Sequence, residues 1–164
     1  MAHKKNLALM AHLMRRAGFG ANRDELERHV AMGYEATVEE LIDPPPDQPA
    51  GKTALLLRAF PLMLLPGGLT YPGQANYMYH MITTQRYLEE KMALFWHHVL
   101  ATANSKLDGA DQLLEQIVLF REHGMGNYRN LLLEVARDPT MIFWLDNQEN
   151  HEYAVNESWG RELH

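Results

Sequence analysis

The stretch TTQRYLEEKMALFWHHVLATA, Thr83–Ala103, decides the fold class. Leu88, Met92, Phe95 and Val99 recur at helical spacing and form a main apolar stripe, flanked by Trp96 and Ala103. Leu94 and Leu100 lie off that stripe, so the second half of the segment is apolar on most sides. A helix of that kind belongs inside a core. The segment is therefore expected to be the longest helix of the chain, central and buried. Opposite the main stripe stand Glu90 and His97, seven residues apart, which a helix brings to one face about 20° from eclipsed.

The same grammar extends in both directions. Towards the N-terminus, Leu7, Met10, Ala11 and Met14 make one helical face, in a helix expected over Lys4–Ala17 and stopped at Gly18. Asn22 and Glu25 have capping-box spacing for a second helix ending near Gly33, and a third is expected over Glu35–Ile42. Then DPPPDQPAG, residues 43–51, breaks the chain, because three prolines in a row cannot continue a helix. A short helix over Thr53–Phe60 follows, closed by Pro61, and PLMLLPGGLTYPG, residues 61–73, reads as a packed apolar loop. The next helix is expected over Gln74–Ile82.

Towards the C-terminus, a polar loop over Asn104–Gly109 precedes DQLLEQIVLFREHG, which ends at Gly124. Asn127 caps YRNLLLEVAR, and Asp138–Pro139 stops that helix and starts TMIFWL. After the polar loop DNQENHEYAV, Asn156 caps a closing helix with Glu157 in its first turn and Trp159 and Leu163 four apart. No glycine, proline or polar tail closes that helix, so it reads as a cut. The expectation is an all-α, multi-helix orthogonal array with a Pro-rich break and a packed loop, truncated at the C-terminus. Residues 1–164 would then be the N-terminal fragment of a single larger helical domain, with a flexible break at 43–51. Such a fragment should leave apolar residues of the Thr83–Ala103 helix and of the closing helix uncovered.

Composition narrows the function classes. The chain has 164 residues, 46% hydrophobic and 22% charged, which suits one soluble domain with a core. A formal net charge of −6 argues against nonspecific binding to nucleic acid or anionic membrane. Absence of cysteine excludes disulfides, thiolate catalysis and Cys-based metal sites. No segment reaches the ~18 apolar residues of a membrane span. The N-terminal apolar stretch is interrupted by His12, Arg15 and Arg16 and lacks a small-residue cleavage site, so the chain as written reads as cytoplasmic. GFGANRD lacks the preceding strand and third glycine of a dinucleotide loop. Serine occurs only at Ser105 and Ser158, with no nucleophile elbow around either.

Two constellations can carry chemistry. Glu90 and His97, a carboxylate and an imidazole on one helical face, could share a metal ion or work as an acid/base pair. As a structural alternative they form a satisfied polar pair. The second constellation is the polar run Asp146–Arg161. Oxygen-rich loops bind calcium or magnesium, but His151 stands where an EF-hand needs glycine, and Gln148 occupies the third place. The structural alternative is a solvated loop ahead of a capped helix. Glu157 and Arg161 are four apart, with His164 three further on, so an ion pair on one face is the simple reading. The catalytic candidates are Glu90, His97, Glu157 and Arg161. The candidate ligands of a divalent metal are His97, Asp146, Asn150 and Glu157. If the closing helix packs on the Thr83–Ala103 helix, Glu90, His97, Glu157 and Arg161 would meet in a buried charged network.

Several blocks then fall into a known order. HLMRRAGFGA, GYEATVEELI, EEKMALFWHH, FREHGMGNYRNLLLEVARDPTMIFWLDN and NESWGREL together resemble the bacterial proteins catalogued as domain of unknown function 1800. The resemblance implies a largely helical protein with no established activity. It further implies an exported location for many members and a companion of a sulfatase-like family encoded alongside. By similarity, Asn156, Glu157, Arg161, Glu162 and Leu163 carry a motif of the form Asn-Glu-x-x-x-Arg-Glu-Leu, which in longer members reads on into further helices. The chain departs from the family pattern twice. A second histidine often found two residues after the Trp-His block is Val99 here, so a two-histidine site does not carry over. The position of His164 is more often apolar in the family. Two functions remain: a non-catalytic scaffold or partner protein acting with a sulfatase-like companion, and a metal-assisted hydrolase or oxidoreductase using a Glu/His/Asp/Arg cluster.

Overall fold

A computed structural model describes residues 2–44, 70–107 and 110–162. The proline run, the helix expected over Thr53–Phe60, most of the apolar loop, Leu163 and His164 lie outside the described residues. The described residues form an all-α structure without strands, made of nine α-helices and one short 3-10 turn. The helices are α1 (Ala2–Ala17), α2 (Arg23–Met32), α3 (Tyr34–Ile42), α4 (Thr70–Thr83), α5 (Tyr87–Val99), α6 (Ala110–His123), α7 (Tyr128–Arg137), α8 (Pro139–Trp144) and α9 (Ser158–Glu162).

The helix starts follow from local chemistry. Asn22 and Glu25 make the reciprocal capping box of α2, each side chain bonding the other's backbone N–H at 2.9 Å. Asn127 caps α7 by accepting from Asn130 N at 3.3 Å. Asp138 caps α8, with Pro139 at its first position. Gly33 joins α2 to α3 at φ +99°, a conformation that disfavours any side chain. One expectation fails at α4, which begins at Thr70 rather than Gln74. Pro72 lies in its first turn, where no intrahelical donor is needed, so the proline does not bar the helix.

α5 corrects the expectation more deeply. It spans Tyr87–Val99 and is shorter than α1, α4 and α6. Its buried face carries Glu90, Ala93 and Leu100, with His97 half-buried, whereas Phe95 and Val99 of the expected core stripe are 48% and 47% exposed. The helix is thus rotated so that its polar pair faces inward. The core cluster consists of Ala93, Leu100, Phe120, Leu131, Val135, Met141 and Leu145, and Trp96, Trp144 and Trp159 pack around it. Helices α5, α6, α7 and α8 supply most of that cluster. A second buried layer forms where α1, α2 and α3 meet, from Met10, Met14, His29, Thr37 and Leu41. Met10 and Met14 belong to the expected stripe of α1, which holds.

The α6–α7 turn is fixed by close approach. Trp96 Nε1 donates to Gly124 O at 2.7 Å, and its ring stacks on Tyr128 with centroids 5.6 Å apart. A Cβ on Gly124 would fall 2.7 Å from Trp96 Cδ1 and would collide with Phe120 O. Gly124→Ala is therefore expected to cost about 1–3 kcal/mol through overpacking. Urea unfolding measures this. A variant as stable as the parent would show that Trp96 does not sit against this turn.

Candidate functional site

The inward face of α5 meets α6 through a polar seam. Glu90 accepts two parallel bonds from Arg121, from Nε and Nη2, both at 2.8 Å. The side chains are only 4% and 18% exposed. This planar fork is the strong form of an ion pair, and it uses both oxygens of the carboxylate. The Arg121 guanidinium also lies 5.9 Å from the centroid of the Tyr77 ring, on α4. Burial, followed by the Glu90 charge, pushes the Tyr77 hydroxyl up to about 12, with Arg121 opposing. The hydroxyl therefore stays protonated at neutral pH. It is buried and has no hydrogen-bond partner.

Two helical turns along α5, His97 faces Gln116 of α6. Gln116 is fully buried and ties several elements together. Its Nε2 donates to Asp138 Oδ2 and its Oε1 accepts from Thr102 Oγ1, both at 2.6 Å. Asp138 is at the same time the cap of α8, accepting from the backbone N–H of Met141 at 3.2 Å. One short polar chain thus runs from the end of α5 through α6 to the start of α8. It is the kind of network that buried polar groups require.

The Gln116 amide nitrogen faces Asp138 and its oxygen faces Thr102. The His97 imidazole also engages the Gln116 side chain. Its Nδ1 is buried and has no hydrogen-bond partner. Burial holds the His97 pKa below its ordinary value, with the bond to Gln116 acting the other way. A cavity of about 240 Å³ opens beside these groups, lined by Gly73, Tyr77, His97, Thr102, Leu114 and Ile117 among others.

Glu157 and Arg161, the other two catalytic candidates, stand elsewhere. They form an exposed pair 3.5 Å apart, with side chains 76% and 71% exposed. Glu90 takes its ion pair from Arg121 instead, so the expected network of Glu90, His97, Glu157 and Arg161 does not form. Its physical reason is placement: α9 presents Trp159 to the core and carries this pair outward. The metal candidates also separate. Asp146 pairs with Lys106 at 2.5 Å, and Asn150 Oδ1 accepts from Asn156 N at 3.0 Å. Among the described residues, no three His, Cys, Asp or Glu side chains gather closely enough to hold an ion.

The family model "Protein of unknown function (DUF1800)" matches residues 12–164. The chain belongs to that family. No curated protein and no solved structure matches it. Among the described residues of this DUF1800 chain, no helix is long and apolar enough to cross a membrane.

Sequence reasoning placed Glu90 and His97 on one face but missed Tyr77, Arg121, Thr102 and Gln116. A signal for Gln116 was present. It interrupts the otherwise apolar set Leu113, Ile117 and Phe120 at helical spacing, which marks a buried polar residue in need of partners.

The seam yields two predictions. Arg121→Met leaves the Glu90 carboxylate buried and unpaired, and should cost about 3–5 kcal/mol. Adding Glu90→Leu should recover most of that loss in a double-mutant cycle; independent, additive losses would contradict the pairing. The second concerns pH. Burial also lowers the pKa of His29, with Arg28 adding to the effect. For both histidines the folded pKa lies below the unfolded one. The stability each contributes is present above about pH 6.5 and is lost as pH falls through the folded value. The urea midpoint should therefore drop between about pH 7 and about pH 5, and His97→Gln should flatten the slope. A parent profile that is level over that range would contradict the burial of both rings.

Proposed function

We infer that this DUF1800 protein is a helical scaffold or partner protein that acts with a sulfatase-like companion. The observation that carries this reading is the state of Glu90. Both its oxygens accept from Arg121 in a nearly dry interior, so the carboxylate is held in a paired, structural role rather than open to a metal. The charged residues that would complete an acid/base site, Glu157 and Arg161, lie out in solvent. Meanwhile large apolar side chains face outward: Phe95 and Val99 on α5, and Tyr153 and Val155 before α9. Apolar surface of this kind supports a docking role. It also supports the reading that the described helices are part of a larger helical domain, whose further helices share in covering them.

The bare Nδ1 of His97 is the observation that favours the second reading, a metal-assisted hydrolase or oxidoreductase. Metal analysis of the purified protein together with co-purification separates the two. The expected result is no stoichiometric divalent metal in the parent, His97→Ala or Glu157→Gln, and retention of a companion protein of the sulfatase-like family. Phe95→Asp with Tyr153→Asp should weaken that retention at least about ten-fold, as expected for central apolar contacts. A stoichiometric metal lost on His97→Ala would overturn the scaffold reading in favour of the metal enzyme.

A further inference from the structure

We propose that the cavity between α4, α5 and α6 is a binding site for a small neutral molecule, chiefly apolar, with one hydroxyl or amide head. Four observations define that ligand. The first is size. A dry cavity of about 150 Å³ holds benzene, so the 240 Å³ here takes roughly ten non-hydrogen atoms. The second is the wall, which is mainly apolar: Leu113, Leu114, Ile117, Ala103 and Ala110 line it, with the polar Gln74, Thr102 and Asn104 at its side. Close approach of Gly73 to Ala110 shapes one side: a Cβ on Gly73 would lie 3.0 Å from Ala110 Cβ.

The third observation is the polar complement. Tyr77 and His97 both line the cavity, and each holds a buried polar atom without a partner, Oη and Nδ1. Buried polar groups left unpaired are rare and costly. An imidazole nitrogen donates or accepts according to the tautomer. The Tyr77 hydroxyl can donate and accept. A hydroxyl or primary amide meets both needs, since it carries a donor and an acceptor within one head.

The fourth observation is charge. The Glu90 carboxylate near Tyr77 is neutralised by Arg121, and His97 is held neutral by burial. These groups leave no net charge to select an ionic head, and a charged ligand would lose its hydration without compensation. The cavity lies on the inward side of α5, away from exposed Phe95, so this site is independent of partner docking.

The probes are benzyl alcohol and benzamide, with toluene as the isostere lacking the head. Binding is followed by methyl NMR of Leu113, Leu114 and Ile117 and by the ¹⁵N resonance of His97 Nδ1. Benzyl alcohol or benzamide should bind saturably and at least about ten-fold more tightly than toluene, because a site with buried polar groups discriminates against an analogue that leaves them unpaired. The Nδ1 resonance should move in the direction of a new hydrogen bond. Tyr77→Phe and His97→Phe should each reduce the preference over toluene, and Leu114→Trp, which fills the cavity, should abolish all binding while the helical circular dichroism is kept. Absence of saturable binding by every probe to the folded parent would overturn the proposal. So would binding that survives Leu114→Trp, or equal affinity for toluene and benzamide. Retention of the sulfatase-like partner is unaffected by any of these results.

Discussion

The need of one buried carboxylate for a cation organises the centre of this molecule. Glu90 has almost no contact with water, and an ionised carboxylate in that position costs several kcal/mol unless it is paired with good geometry. Arg121 supplies that geometry through a two-point fork. Because the fork is planar and short, it also sets the register of α5 against α6. With Glu90 on Arg121, His97 comes to Gln116 and Phe120, Thr102 comes to Gln116, and Trp96 comes to Gly124. A slip of one turn would strand the carboxylate and undo each of these contacts together. The pair therefore matters more for choosing one packing than for adding stability, since apolar residues of similar volume could fill the same space.

Much of the fold was legible because helix punctuation is local. Asn22, Asn127 and Asp138 cap the helices they were expected to cap, and Met10 and Met14 are buried as periodicity requires. The orientation of α5 was not legible. Periodicity places Phe95 and Val99 on the main core stripe and Glu90 and His97 on the face opposite it. It cannot see Arg121, 31 positions away in the chain, whose presence reverses the preference. The same limit applies to the site. That Glu90 and His97 share a face is a property of one helix, but their partners come from α6 and, for the cavity, from α4. Glu157 and Arg161 were recognisable as a same-face pair. Whether that face would be inside depended on Trp159, which took the inward position instead.

The outcome is a helix pair with its polar chemistry turned in and part of its apolar surface turned out. This inversion keeps the two proposed roles apart in space. The interior seam is hydrogen-bonded along much of its length and meets the cavity at Tyr77 and His97, which hold unpartnered buried polar atoms. The exterior carries exposed aromatic and branched side chains, among them Phe95, Val99, Tyr153 and Val155. A partner surface and a small-molecule pocket can therefore coexist on opposite sides of α5 without competing for the same residues.

Asn156 has a consequence of another kind. Its amide donates to Leu145 O at 2.6 Å, its oxygen accepts from Ser158 N at 2.9 Å, and its own N–H is held by Asn150. One side chain thus bridges the end of α8 and the start of α9. A helix of five residues has little tendency to persist by itself, so its heading is inherited from whatever anchors its first turn. Asn156 works as a rudder: the path of the backbone after residue 156 is steered by an amide that is itself fastened to the core.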